Sequence, residues 1–397
     1  MSSKTPAKRA PAAEPKMKAG VMKRGATWSY VVALGTDELG HKRQQWKGGY
    51  KRRADAVTAR TEAMSQLGRG GYVAPTRQST GEFLREWIAG AKHTRVRPST
   101  WASYKLNIER HIIPHIGART LQELTSGAVN KLYADLLESG RADGKGGLSP
   151  QSVKYIGMIL KHALADAVRE QRIARNPADG ATAPRPRHAR EMHTWTGEQV
   201  RTFLDHVRDD ELYAAYVVSV TCGTRRGETL GLRWSDVDLD RGRISIAQTI
   251  IAIGYSLTFS TPKTARGRRT ISLDPTTIDA LRQHRTRQLE RRLAIGGGYR
   301  ADLDLVFAKV DGEPIHPERL TRQFDAHVKV AGLPRIRLHD LRHTNASLML
   351  SAGVPAKVAS ERLGHSSISI TLDTYSHVMP GLQEDAALTV GAAVFGG

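Results

Sequence analysis

Between residues 225 and 375 the chain carries side chains that together could handle a phosphodiester. Arg225 lies in Gly223-Thr-Arg-Arg-Gly-Glu228, Lys263 in Thr261-Pro-Lys-Thr264, and His339 and Arg342 in His339-Asp-Leu-Arg-His343. His365 follows Gly364, and Tyr375 lies in Asp373-Thr-Tyr-Ser-His377. A phosphodiester gains negative charge on its way to the pentacoordinate transition state. Each preorganised donor placed there can contribute roughly 3–4 kcal/mol. Arginine suits the role because its planar fork binds phosphate bidentately and stays ionised. Glu228, three residues after Arg225, shares its face if a helix begins there and could orient the guanidinium or a nearby histidine. His339 and Arg342 are also three apart, so one helical face presents an imidazole and a guanidinium to one point.

Tyr375 is the candidate nucleophile. A tyrosine hydroxyl has an ordinary pKa of about 10, and bringing it near 7 takes about 4 kcal/mol of differential stabilisation. Neighbouring cations are expected to supply this, without a strong general base. Lys263, in the turn between strands ending at Phe259 and starting at Arg269, is the candidate acid for the leaving 5′-oxygen. A rival reading starts from His339 and His343, whose i, i+4 spacing is that of helical zinc sites, with His365 as a third ligand. Asp340 stands where a catalytic Glu would, no acidic third ligand is evident, and Arg342 would repel a cation. No metal is therefore expected. His343 is assigned to supporting or packing the site, not to catalysis.

Positioning these residues requires several elements. Residues 1–20 are rich in Lys, Ala and Pro, without periodicity, and read as a disordered basic arm. Ala26–Leu34 and His41–Lys47 read as strands around a Gly35–Gly40 turn, followed by a helix over Arg53–Leu67 with Ala56, Ala59, Ala63 and Leu67 on one stripe. A small three-stranded sheet with one helix over residues 21–73 results. It is dressed in Lys42, Arg43, Lys47, Lys51, Arg52 and Arg53, a basic face that fits a DNA major groove or simply meets solvent. Residues 74–182 read as an all-α bundle: a helix from Ser79-Thr-Gly-Glu82, others over Pro98–Ile113, Ser126–Ser139 and Ser149–Glu170, and a loop at Gly140–Gly147. A basic Pro-containing linker over 183–190 leads to a mainly helical domain, 191–397, with a small antiparallel sheet in its middle. Its helices are expected over Thr196–Arg208, Glu211–Thr221 and Arg226–Leu232, and its strands over Arg243–Ala247, Tyr255–Phe259 and Arg269–Leu273. Leu341, Ala346 and Leu348 are expected to pack the His339–Arg342 helix. The fold class is thus α+β multidomain.

A net charge of +21 over 397 residues draws polyanions, nucleic acid first, although ribosome-associated and membrane-surface proteins share such a balance. Cys222 is the only cysteine, so no intramolecular disulfide forms, and Val217, Val218 and Val220 beside it predict a buried small hydrophobe. No apolar run reaches membrane-spanning length and the N-terminus lacks a secretory apolar region, which predicts a cytoplasmic protein without membrane partners.

The segments Thr221-Cys-Gly-Thr-Arg-Arg-Gly-Glu-Thr-Leu230, Ser260-Thr-Pro-Lys-Thr264, Leu338-His-Asp-Leu-Arg-His-Thr344, Leu363-Gly-His-Ser366 and Thr371-Leu-Asp-Thr-Tyr375 resemble, in order and spacing, the catalytic domain of tyrosine recombinases, the phage-integrase family. Residues 74–182 are similar to that family's core-binding domain and 21–73 to its arm-binding domain. The resemblance implies that Arg225, Lys263, His339, Arg342 and His365 activate a scissile phosphate, with Glu228 in support and Tyr375 as nucleophile. It implies a 3′-phosphotyrosyl intermediate and resealing by a partner strand's hydroxyl, with no cofactor because the ester retains the bond energy. It further implies double-stranded DNA with core and arm sites, a homo-tetramer on two duplexes, a tail from Met379 to Gly397 that docks on a neighbour, and room for a host bending protein or excision factor. The extra N-terminal domain favours integration and excision of a phage or other mobile element, in a bacterial cell at the nucleoid. A transposon integrase or chromosome-dimer resolvase of the same chemistry is the near alternative, and a non-catalytic DNA-binding protein the distant one.

Overall fold

The computed structural model describes residues 20–36, 41–68, 73–94, 96–185, 193–261, 267–375 and 382–395. The chain divides into two compact units, Met1–Ala189 and Arg190–Gly397.

The first unit contains two separate cores. Strands β1 (Val21–Arg24), β2 (Thr27–Thr36) and β3 (Lys42–Tyr50) form an antiparallel sheet in sequence order, and α1 (Arg53–Gly68) packs on it. Val21, Tyr30 and Val32 meet Ala56 and Ala63, the alanine stripe the helical spacing predicted. Lys42, Lys47, Lys51, Arg52 and Arg53 are exposed, whereas the Arg43 side chain lies outside the described residues. Residues 1–19 likewise lie outside them.

Helices α2 (Thr80–Thr94), α3 (Pro98–Asn107), α4 (Ile113–Ile116), α5 (Ser126–Ser139) and α6 (Pro150–Arg169) make the second core. At the start of α2, Ser79 and Glu82 cap each other: the Ser79 N–H donates to Glu82 Oε2 at 2.8 Å, and the Glu82 N–H to Ser79 Oγ at 3.2 Å. The helix expected to end at Ile113 continues through a π-turn, Ile108–Ile112, into α4. Pro114 has no N–H and its ring crowds the preceding turn, and the wider π-turn accommodates it. Trp87 Nε1 donates to the buried Asp166 at 2.7 Å, tying α2 to α6.

In the second unit, α7 (Gly197–His206) begins at a Thr196–Gln199 capping box, and α8 (Tyr213–Thr221) is buried along almost its whole length. A helix that apolar all round belongs inside a core. Its Tyr216 joins Trp195, Phe203 and Phe324 in an aromatic cluster with neighbouring ring centroids 5.2–6.2 Å apart. Short α9 (Arg226–Leu230) precedes a three-stranded sheet of β4 (Val237–Asp238), β5 (Arg243–Ile246) and, beyond the hairpin of β6 (Thr249–Ile253) and β7 (Ser256–Ser260), β8 (Arg269–Ser272). Helices α10 (Pro275–Ile295), α11 (Pro317–Val330), α12 (Asp340–Ser351), α13 (Ala356–Leu363), α14 (Ile368–Tyr375) and α15 (Leu382–Phe395) complete it. Leu341 and Ala346 bury α12 as expected, but Leu348 is exposed and Leu350 takes the inward position. Cys222 is buried, and desolvation pushes its thiol up to about 11. Among the described residues no helix is long and apolar enough to cross a membrane.

Candidate active site

A single turn supports both arginines. At the end of α8, the Thr221 carbonyl accepts from Asn345 Nδ2 and Arg362 Nη2, each at 3.0 Å, which satisfies a terminal acceptor of the helix. The chain then reverses at Gly223, whose φ of +61° and lack of a Cβ are both needed. A Cβ there would sit 2.5 Å from Leu363 Cδ2 and 2.8 Å from Asn345 Oδ1. Arg225 follows as the N-cap of α9, its N–H donating to Glu228 Oε2 at 3.0 Å. The Gly223 carbonyl itself accepts from Arg342 Nη1 at 2.7 Å. The positions of the two guanidiniums are thereby linked through the three residues Gly223–Arg225.

Glu228 neutralises part of this charge. Its carboxylate lies 2.6 Å from Arg225 Nη1 and 3.0 Å from Arg269 Nη2, with the Glu228 and Arg269 side chains only 4% and 6% exposed. Burial alone would raise its pKa, but Arg269 and then Arg225 hold it below the ordinary carboxylate range. Glu228→Gln keeps the shape and removes the charge. A loss of about 3 kcal/mol is expected, because removing one partner strands the buried Arg269 cation. Denaturant unfolding of the full chain measures it. The group's folded pKa is depressed, so its contribution is present above the unfolded value of about 4.3 and lost as pH falls through the lower folded one.

Arg342 is 3% exposed. Burial, then the charges of Arg225 and Arg269, lower its pKa to about 9, so it stays protonated at neutral pH. Its Nη2 has no hydrogen-bond partner among the described residues. His339 is the N-cap of α12, its ring edge-on to His343 with centroids 5.2 Å apart. Asp340, in the position compared above with a metalloprotease Glu, is committed to Arg337 at 2.7 Å. His365 follows the left-handed C-cap Gly364 of α13, whose carbonyl also accepts from Arg225 Nη2 at 3.3 Å. His365 Nδ1 is hydrogen-bonded to the buried Thr371 Oγ1 at 2.8 Å. Desolvation brings both His339 and His365 down to about 4, assisted by His343 and Arg342 in the first case and by Arg342 and Arg225 in the second. A cleft of about 560 Å³, lined by Arg268, Arg269, Lys357 and His365 among others, opens beside His365.

Tyr375 ends α14, 1% exposed in a cluster with Ala346, Leu350, Ala359 and Leu363. Its hydroxyl lies 2.5 Å from His343 Nδ1. The expectation that neighbouring cations pull this phenol towards neutrality is not met. Burial pushes it up to about 12, and Arg342 offsets this only in part. Arg225, His339, Arg342, His365 and Tyr375 thus share one electrostatic neighbourhood, whereas Lys263 lies outside the described residues. Among the described residues, no trio of His, Cys, Asp or Glu is gathered as a metal site. Sequence reasoning missed Arg269, Thr371 and the His343–Tyr375 contact. Arg269 has a faint signal, because a buried arginine needs a carboxylate and Glu228 had one oxygen to spare.

Residues 194–381 match the model of the phage integrase family, and residues 80–137 that of the phage integrase N-terminal SAM-like domain. The chain belongs to the phage integrase family. It is a tyrosine recombinase, a DNA strand-transfer enzyme of site-specific recombination. Among its relatives, a XerC-like tyrosine recombinase of Caldanaerobacter subterraneus is 27% identical over 392 residues, covering 94% of this chain and 98% of that one. The ICEBs1 integrase of Bacillus subtilis is 27% identical over 293 residues, covering 73% and 77%. In fold, this recombinase is similar to the Tn1549 transposon integrase in complex with a circular intermediate DNA, with a TM-score of 0.63, 20% identity, and 78% and 99% coverage. It is also similar to lambda integrase in a tetramer bound to a Holliday junction, with a TM-score of 0.55, 17% identity, and 90% and 95% coverage. The α+β architecture expected from the sequence is that of these folds.

Proposed function

We propose that this recombinase cleaves DNA by attack of Tyr375 Oη on a scissile phosphorus, leaving a 3′-phosphotyrosyl ester and a free 5′-hydroxyl. The observation that carries this reading is the buried Arg342 within electrostatic reach of the buried Tyr375, with its Nη1 anchored and its Nη2 unspent among the described residues. Arg342 and Arg225 grip the non-bridging oxygens. His339 and His365 donate hydrogen bonds to the same phosphate, Glu228 holds Arg225 in place, and Lys263 protonates the leaving 5′-oxygen. A partner strand's 5′-hydroxyl then attacks the phosphotyrosine, and the ester's retained energy removes any need for ATP.

Residues 74–182 serve as the core-binding domain. Residues 21–73 serve as an arm-type domain that uses Lys42, Arg43, Lys47, Lys51, Arg52 and Arg53 against DNA. This domain, with the integrases among the relatives, favours integration and excision of a mobile element. Four copies assemble on paired duplexes in the bacterial cytoplasm, and α15, with Leu388, Val390, Val394 and Phe395 exposed, is the tail that joins neighbours.

The test uses the full chain in EDTA with a pool of nicked duplexes of randomised core sequence. Adducts stable in SDS are recovered, their DNA is sequenced and their tryptic peptides are weighed. The expected result is a nucleotide remnant on Tyr375. No adduct from the pool, or one on another residue, overturns the proposal.

A further inference from the structure

The phosphate chemistry above leaves one polar contact of the nucleophile without a task. His343 Nδ1 lies 2.5 Å from Tyr375 Oη, with the two rings 5.8 Å apart at an interplanar angle of 48°. The Tyr375 ring packs among Ala346, Leu350, Ala359 and Leu363, with the Arg342 charge close enough to act on the phenol. A phenol hydroxyl has one proton to give, and a neutral imidazole with its proton on Nε2 has a lone pair at Nδ1 to receive it.

The surroundings keep that imidazole neutral. From α12 and the turn before it, His339, Asp340, Arg342 and Arg337 face His343; Tyr375 faces it from α14, and His365 from the turn after α13. Burial, with Arg342 and Arg337, lowers its pKa, and Asp340 opposes them. The phenol, meanwhile, is held well above its ordinary value by burial. A nucleophile so reluctant to ionise needs a place for its proton as the bond to phosphorus forms.

We propose that His343 is the proton acceptor for Tyr375, which rests on the reading of Tyr375 as the nucleophile. As Oη bonds to phosphorus, its proton passes to Nδ1. The bond from phosphorus to the 5′-oxygen breaks, and that oxygen takes a proton from the acid, Lys263. On rejoining, the incoming 5′-hydroxyl returns its proton to the lysine as it attacks. The Oη–phosphorus bond breaks, and the phenolate recovers its proton from His343. Every proton and electron pair is accounted for with no further reactant. His343 thereby moves from the supporting or packing role expected from the sequence to direct contact with a reacting atom.

Single-turnover cleavage by the full chain on a nicked duplex selected as above tests this from pH 5 to 9.5. His343→Asn offers an amide oxygen near the Nδ1 position, which accepts a hydrogen bond but no proton, and His343→Ala offers neither. Both are expected to cleave at least about 100-fold more slowly near neutral pH. Their rates keep climbing with pH where that of the unmodified chain has levelled, the adduct stays on Tyr375, and added imidazole partly restores the alanine variant. Cleavage by His343→Asn at the unmodified rate, with an unchanged pH profile, overturns the assignment and leaves Tyr375 as nucleophile untouched. An unmodified chain whose adduct lies elsewhere than Tyr375 overturns the underlying reading instead.

Discussion

A Tyr375→Phe chain retains its fold and its affinity for DNA and forms no covalent adduct. The phenylalanine ring fills the same space among Ala346, Leu350, Ala359 and Leu363, so no cavity opens. The lost hydroxyl costs His343 Nδ1 one hydrogen bond, about 1 kcal/mol. The chemistry has no substitute, because a phenyl ring has no lone pair to attack phosphorus. Adduct formation on the nicked duplex should fall by on the order of 10⁴-fold or more. Denaturing gels read the adduct and mobility shifts read the binding. An adduct that persists in this variant removes Tyr375 from the mechanism.

Arg342→Ala is expected to cost the next largest factor. Loss of one preorganised donor at a developing oxyanion slows reaction by about 10²–10³-fold. Arg342 also donates to the Gly223 carbonyl, so its removal loosens the turn that places Arg225. Arg342→Lys should recover little, because an ammonium on a flexible stem cannot hold that carbonyl and a phosphate oxygen in one plane. Single-turnover rates with saturating duplex measure both. A lysine variant within tenfold of the unmodified chain would show that charge alone suffices and that the bidentate reading is wrong.

The parts of this site legible in the sequence are those with local cues. Glu228 three residues beyond Arg225 marked the start of α9, and Ser79 with Glu82 marked the start of α2. What stayed hidden depends on distant pairing. Arg266, Arg268 and Arg269 are equivalent by composition, and only the register of β8 against β5 selects Arg269 to meet Glu228, 41 residues earlier. The β6–β7 hairpin half emerged, because the run Thr249–Ile253 has no turn signal separating it clearly from β5. The acidity of Tyr375 was misjudged for a related reason. Residue types give the charges nearby, but burial decides which side of the balance wins, and burial is a property of the assembled core.

The Gly223 turn has a consequence for direction. Because the same three-residue bend fixes Arg225 by the chain and Arg342 by its carbonyl, a displacement of the bend carries both guanidiniums the same way. A bend shared in this way favours one spacing of the two guanidiniums, whether the phosphorus is joined to deoxyribose on both sides or to Tyr375 on one. By microscopic reversibility, a grip that does not distinguish the two esters speeds breakage and repair alike. Any preference for inserting over releasing a segment must then come from outside this bend, from the duplexes and the order in which copies of the chain gather on them.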